Sequence, residues 1–216
     1  MVFQYGLSDF IPFKDVKECE RVRKIKKGDI TKHHNPDFKI KVIEDPNQFY
    51  IEFALDLVSR IKKSAEMNDK LVLILPVGPV PQFEIAARLI NEFNLSMKNV
   101  HTFNMDEYAD ENGNTAPIDW PGSFQKAMWE NFFNKIKPEL RPDSKNIHFP
   151  TKDALPDYGK MIEDLGGADC CYGGVGWCGH IAFWEAHLGF EFGNDLEAYK
   201  KQGPRCVELH PMTIMQ

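Results

Sequence analysis

Five residues, Leu71-Val72-Leu73-Ile74-Leu75, form an uninterrupted apolar run. A strand with one wet face alternates polar and apolar residues. A run without alternation suits a strand covered on both faces, as in a parallel sheet held between layers of helices. Pro76-Val77-Gly78-Pro79-Val80-Pro81 follows, and then Phe83, Ala86, Leu89, Ile90 and Phe93 recur at helical spacing. Strand, glycine-containing loop and helix make a βα unit. Its loop lies at the carboxyl edge of the sheet, where open α/β folds bind ligands.

The rest of the chain extends that unit. Lys39 to Glu44 alternates as a strand would, and Pro46 starts a helix with Phe49, Phe53, Ala54, Leu57, Val58, Ile61 and Ala65 on one face. Val100 to Phe103 reads as a second buried strand, Ile147 to Phe149 as a short one, and Ala168 to Tyr172 as another buried one. Ser123 is placed to cap a helix carrying Phe124, Ala127, Met128, Phe132 and Ile136 inward, and Gly166-Gly167 to stop one begun at Tyr158. Ala198 to Gln202 is a helical fragment and Val207 to Leu209 a further short strand. The pattern predicts a three-layer α/β fold with a mostly parallel, Rossmann-like sheet. Residues 1–38 read as an N-terminal arm and 39–216 as the α/β domain. The arm's basic cluster, Arg21, Arg23, Lys24, Lys26 and Lys27, lies on a short amphipathic helix expected to end near Gly28, and is taken as a solvated face.

Charge and composition limit the partners. A net charge of −6 argues against bulk nucleic-acid binding. No apolar run reaches the length of a membrane span, and the first residues lack the basic and apolar regions of a signal peptide. Five cysteines without framework spacing fit reduced thiols and a cytoplasmic setting.

The densest candidate site is Tyr172 to Glu185, Tyr-Gly-Gly-Val-Gly-Trp-Cys-Gly-His-Ile-Ala-Phe-Trp-Glu. Glycines at 173, 174, 176 and 179 open a loop behind a strand, and a titratable pair, His180 and Glu185, follows directly. The second candidate is Asn104-Met105-Asp106-Glu107-Tyr108, two adjacent carboxylates leaving the strand before them. Such a pair is as often a solvated turn, and its place at the ligand edge speaks for a site. Ala109 to Pro121, poor in apolar residues, is long enough for a lid. Two other readings carry less. Gly174, Gly176 and Gly179 satisfy a dinucleotide-type Gly-x-Gly-x-x-Gly, which alone is weak. Cys170, Cys171, Cys178, His180 and His187 have the residue types for zinc without the spacing of a finger, so no metal is expected, and Cys170 and Cys171 read as core. Trp177 and Trp184 flank the glycine stretch and are placed to narrow a pocket.

These two stretches resemble the glucosamine-6-phosphate deaminase/isomerase family, which is related to the 6-phosphogluconolactonases. Residues 103–108 match the family's Phe-Asn-Met-Asp-Glu-Tyr throughout, and 173–185 match its Gly-Gly-Val-Gly-x-Asp-Gly-His-Ile-Ala-Phe-Asn-Glu except at Cys178 and Trp184. The resemblance covers about residues 39–190. It implies the glucosamine-6-phosphate deaminase/ribose-5-phosphate isomerase type of fold, a mobile flap at 109–121, no cofactor, and aldose–ketose isomerisation of an amino-sugar phosphate with release of ammonia. It implies Asp106 as the base moving a proton between C1 and C2, His180 as the ring-opening group, Glu185 as its orienting partner, and Cys178 in place of the family's relay aspartate. It also implies substrate contacts from Val77, Gly78, Pro79, Val80, Glu107, Gly174, Gly176 and Gly179. The family's phosphate loop reads Pro-Thr-Gly-Gly-Thr-Pro. Here Val77 and Val80 remove two hydroxyls, and Pro79 offers no N–H. The family's later elements, with the arginine and lysine of its phosphate site, have no counterpart, so the chain reads as a natural short form or a fragment. Two functions are therefore expected as alternatives: the deaminase/isomerase itself, or an impaired or repurposed relative that binds another sugar or sugar phosphate. A homo-oligomer is expected from the resemblance.

Overall fold

The computed structural model describes residues 15–193 and 195–215, so residues 1–14 of the expected arm lie outside the described part. The chain divides into two compact units, 1–48 and 49–216. In the first, helix α1 spans Val16–Arg23, capped by the Asp15 carboxylate accepting from the Glu18 N–H at 2.9 Å. It buries no residue and ends well short of Gly28, where a 3₁₀ turn covers Lys27–Asp29. Lys39 to Glu44 forms no strand: Ile40 and Ile43 are half-buried, the others are exposed, and none is paired in a sheet. Alternation there has no sheet to dock against, and a lone extended segment keeps its backbone in water.

The second unit is built on a sheet of four parallel strands in the order β3-β2-β1-β4, with β1 at Leu71–Leu75, β2 at Val100–Asn104, β3 at Ile147–His148 and β4 at Cys170–Cys171. Leu71 pairs with Val100 and Leu75 with Asn104, while on the other side Leu73 pairs with Cys170 and Ile74 with Cys171. The run Leu71–Leu75 serves both faces, as its unbroken apolarity required. Leu71, Leu73 and Leu75 point into one cluster, and Val72 and Ile74 into another.

Helix α2, Pro46–Met67, helix α3, Pro81–Glu92, and helix α4, Phe124–Asn131, cover the first face through Leu57, Ile61, Phe83, Ile90, Met128 and, just past the end of α4, Phe132. Helix α5, Tyr158–Asp164, covers the second with Tyr158 against Phe103. These are the three layers. The Tyr158 hydroxyl, buried within the second face, donates to the Asn104 carbonyl at 2.8 Å. It stays a donor because burial lifts its pKa well above the ordinary phenol range.

Several expectations are corrected. β4 is a two-residue edge rather than a buried strand. Cys170 packs on the core, but Cys171 is exposed. Val207 to Leu209 joins no strand, and two short helices close the described chain, α6 at Leu196–Lys200 and α7 at Pro211–Ile214. Among the described residues, no helix is long and apolar enough to cross a membrane.

Candidate active site

Because β1 is central, the loops after β1, β2 and β4 emerge side by side at one edge of the sheet. The side chains of the first loop divide. Val77 turns into the core at 9% exposure, so any ligand contact it makes is through its backbone. Gly78 and Pro79 are exposed and joined by a cis bond, and Val80 is the N-cap of α3, with no side-chain acceptor for the helix amides. In the first turn of α3, Gln82 is wholly buried, and neither atom of its amide has a partner among the described residues.

The second loop carries Asp106 into a cavity of about 360 Å³ that Asn104, Tyr108, Phe183, Trp184 and Arg205 also line. Burial, reinforced by the neighbouring charge of Glu107, pushes the Asp106 carboxyl up to about 7. A carboxyl held there is half ionised at neutral pH, the condition under which a base both takes up and returns a proton. Asn104, in the same wall, is fully buried with both side-chain amide atoms unpartnered among the described residues. Buried polar atoms are nearly always hydrogen-bonded, so this amide has hydrogen-bonding capacity to offer a molecule in the cavity. Sequence reasoning missed it, although it stands in the Asn104-Met105-Asp106-Glu107 motif.

Glu107 also borders this cavity, but its carboxylate is taken up by the start of α4. Its carboxylate accepts from the N–H groups of Tyr108, Phe124 and Gln125 at 2.9, 3.0 and 2.8 Å, and from the Ser123 hydroxyl at 3.2 Å. Ser123 in turn accepts from the Lys126 N–H. The first three amides of α4, which have no intrahelical acceptor, are thus satisfied by two side chains. The loop from 109 is fastened as well: Ala109 bridges Thr115, and Lys152 donates its backbone N–H to the Thr115 hydroxyl at 2.7 Å and its ammonium to the Asn114 side chain at 2.7 Å.

The third loop folds as a tight turn. The Gly176 N–H donates to the His180 carbonyl at 2.8 Å, and the Gly179 N–H to the Gly176 carbonyl at 2.9 Å. Gly179 sits at φ +83°, where a side chain is strained. A second turn follows, Ile181 to Trp184, with Ala182 and Phe183 both at positive φ. No helix opens after Gly179, so the dinucleotide reading lacks the helix N-terminus on which it depends. Gly174 has open space around its Cα. Trp177 faces solvent at 75% exposure and narrows nothing, whereas Trp184 lines the Asp106 cavity.

These turns bring Cys178, His180 and Glu185 together. His180 and Glu185 are buried, with Nδ1 3.6 Å from the carboxylate. Two residues from the end of the chain join them without any signal in the sequence pattern. The Thr213 hydroxyl lies 3.1 Å from His180 Nδ1 and donates to Cys178 Sγ at 3.3 Å, and the His210 N–H donates to Glu185 at 3.2 Å. With its proton on Nδ1, His180 feeds a chain from imidazole through hydroxyl to sulfur. His180 does not line the Asp106 cavity. Phe183 stands between, its ring 5.6 Å from His180 and 5.0 Å from Tyr108. The zinc-type set read from the sequence is regrouped too. The ligand atoms of Cys178, His180 and Glu185 lie within 4.8 Å of one another, and neither Cys170, Cys171 nor His187 is among them.

Gly176 holds the imidazole in place. A methyl group there would lie 2.0 Å from His180 Nε2. Gly176→Ala is expected to displace the ring and to cost about 1–3 kcal/mol in overpacking. An unchanged melting temperature together with unchanged His180 ring resonances would refute this placement.

No family model matches the chain. Glucosamine-6-phosphate deaminases are similar to it. That of Phocaeicola vulgatus is 34% identical over 154 residues, 67% of this chain and 55% of the relative. That of Caenorhabditis elegans is 36% identical over 154 residues, 67% of this chain and 54% of the relative. The chain spans about half the length of the curated relatives it matches. Among solved structures, a monomeric glucosamine-6-phosphate deaminase superposes with a TM-score of 0.57 at 25% identity, over 68% of this chain and 58% of that one. A 6-phosphogluconolactonase of Thermotoga maritima shares the fold, with a TM-score of 0.51 at 23% identity, over 71% and 66%.

Proposed function

This chain is a relative of the glucosamine-6-phosphate deaminases, alike in sequence over two thirds of its length and alike in fold, and on that premise we propose that it acts on an amino-sugar phosphate, isomerising aldose to ketose with release of ammonia. The observation that carries this reading is Asp106, set in the wall of a cavity, on a fully matching motif, with its carboxyl held near neutrality. In the proposed reaction Asp106 takes the proton from C2 of the opened sugar and returns it at C1, leaving an imine at C2; the Asn104 amide holds a substrate hydroxyl or carbonyl oxygen, and water adds at C2 to expel the amine as ammonia and leave the ketone. His180, oriented by Glu185, opens the sugar ring once Phe183 moves aside. The phosphate is assigned to the backbone of residues 77–80 and the uncapped start of α3, with Gly174, Gly176 and Gly179 letting the third loop approach the sugar. The cytoplasmic setting and the homo-oligomer belong to the same reading, with residues 1–38 an N-terminal arm. The five free cysteines support a reducing compartment.

The test is release of ammonia and fructose-6-phosphate from glucosamine-6-phosphate between about pH 5 and 9. Turnover is expected, with kcat/KM falling on the acid side about a midpoint near 7 as Asp106 takes up its proton. Silence across that range, with no binding of the sugar phosphate, would overturn the proposal.

A further inference from the structure

We propose that Cys178, His180 and Glu185 form a binding site for a single zinc-class divalent ion, a use of these residues that goes beyond sugar-phosphate turnover. In the set that the resemblance leads one to expect, a carboxylate, an imidazole and a second carboxylate, two of the three donors are hard oxygen ligands that also suit magnesium and calcium. Cysteine in the first place makes the set thiolate, imidazole and carboxylate, the mixture that selects zinc over magnesium or calcium.

Geometry supports it. Tetrahedral zinc with bonds of about 2.0–2.3 Å places its ligand atoms about 3.3–3.8 Å apart. Here His180 Nδ1 is 3.6 Å from the Glu185 carboxylate, inside that range, and all three donor atoms lie within 4.8 Å of one another, so the thiol has at most about 1 Å to close to reach tetrahedral spacing. The correct nitrogen faces inward, because Nε2 is set against Gly176 and Nδ1 is the one turned toward Glu185 and Thr213. The fourth side is polar: the Thr213 hydroxyl is 3.3 Å and His210 Nδ1 3.9 Å from Cys178 Sγ. His180 and Glu185 are buried and Cys178 is half-buried, so a bound ion would be shielded from competing water.

Binding requires the thiol to give up its proton and His180 Nδ1 to be bare, so ion uptake releases protons and replaces the imidazole–hydroxyl–sulfur chain. It also occupies the group that the proposed function assigns to ring opening. On that reading, zinc and turnover are alternative states of His180.

The experiment uses the full chain and the metal alone. Zinc is titrated into chelator-treated protein, and cobalt(II) is substituted and followed by its thiolate-to-metal charge-transfer band. One equivalent of zinc and a cobalt band are expected. Cys178→Asp, which restores the relatives' residue, is expected to fold, lose the band and bind zinc on the order of 10²-fold more weakly. Glu185→Gln should keep the band with weakened affinity, and Cys171→Ser and Cys206→Ser should change neither. No band in wild type, or a band that survives Cys178→Asp, overturns the site. Because the readout is spectroscopic, a chelator-treated chain that is inactive while metal-free, yet takes up the ion on titration, refutes the deaminase reading and leaves the metal site standing. An active chain that binds no ion does the opposite.

Discussion

Replacing Asp106 with asparagine is expected to lower kcat/KM for glucosamine-6-phosphate by roughly 10²–10⁴-fold, the span a positioned general base contributes, and at the same time to make the fold more stable at alkaline pH. The second half follows from the same carboxyl. Folding raises it from an ordinary 3.8 to about 7, so the native state holds the proton more tightly than the unfolded chain does. Its contribution to stability is therefore complete below about pH 4 and is lost as pH rises through about 7. Above that the fold confines an ionised carboxylate where burial disfavours it, by on the order of a few kcal/mol. Asparagine carries no charge to confine. The two chains should melt close together near pH 4 and diverge toward pH 8, with Asp106→Asn the higher. Activity within tenfold of wild type would remove Asp106 from the proposed mechanism. A gap in melting temperature that fails to widen with pH would remove its raised pKa.

Glu107→Ala is expected to show the opposite behaviour, a large loss of stability. Four donors converge on that carboxylate, two of them the first amides of α4. Leaving half-buried amides without an acceptor costs about 1–3 kcal/mol each where water cannot reach them, and losing a cap costs about 1 kcal/mol. A total of about 2–4 kcal/mol lowers the melting temperature of a chain this size by about 5–15 °C. Glu107→Gln, which keeps a neutral acceptor, should fall between. If Glu107→Ala melts within about 2 °C of wild type, the cap contributes nothing. In the fraction that folds, removing the charge beside Asp106 should also move the acid limb of kcat/KM downward, since Glu107 is the second cause of the Asp106 shift.

What the sequence disclosed was what local pattern can carry. Leu71–Leu75 announced a strand covered on two faces, the spacing of Phe83, Ala86 and Ile90 a helix behind it, and Ser123 a cap, because each depends on neighbours within a few positions. Lys39–Glu44 has the alternation of a strand and forms none, since a strand needs a partner that no local pattern records. Glu107 illustrates the same limit at the site. As one of two adjacent acids it looks like Asp106, and only the chain 16 to 18 residues later gives it a different task. Thr213 and His210 reach His180 and Glu185 across 33 and 25 residues, with no spacing rule to foretell it. Asn104 was within reach, since it stands in the motif, but its unpartnered amide becomes visible only once burial is known.

The place of β1 at the centre of the sheet also sets a timetable for the chain as it is made. Its partner β2 follows within a few dozen residues, but β4, which covers its other side, comes about a hundred residues later, an interval of about 5–20 s at ordinary rates of synthesis. Throughout that time the backbone groups of Leu73 and Ile74 that will pair with Cys170 and Cys171 stay open on a strand made wholly of apolar residues. The nascent chain is thus a one-sided sheet with an adhesive edge, and the loop bearing His180 leaves the ribosome only after the two cysteines that close that edge.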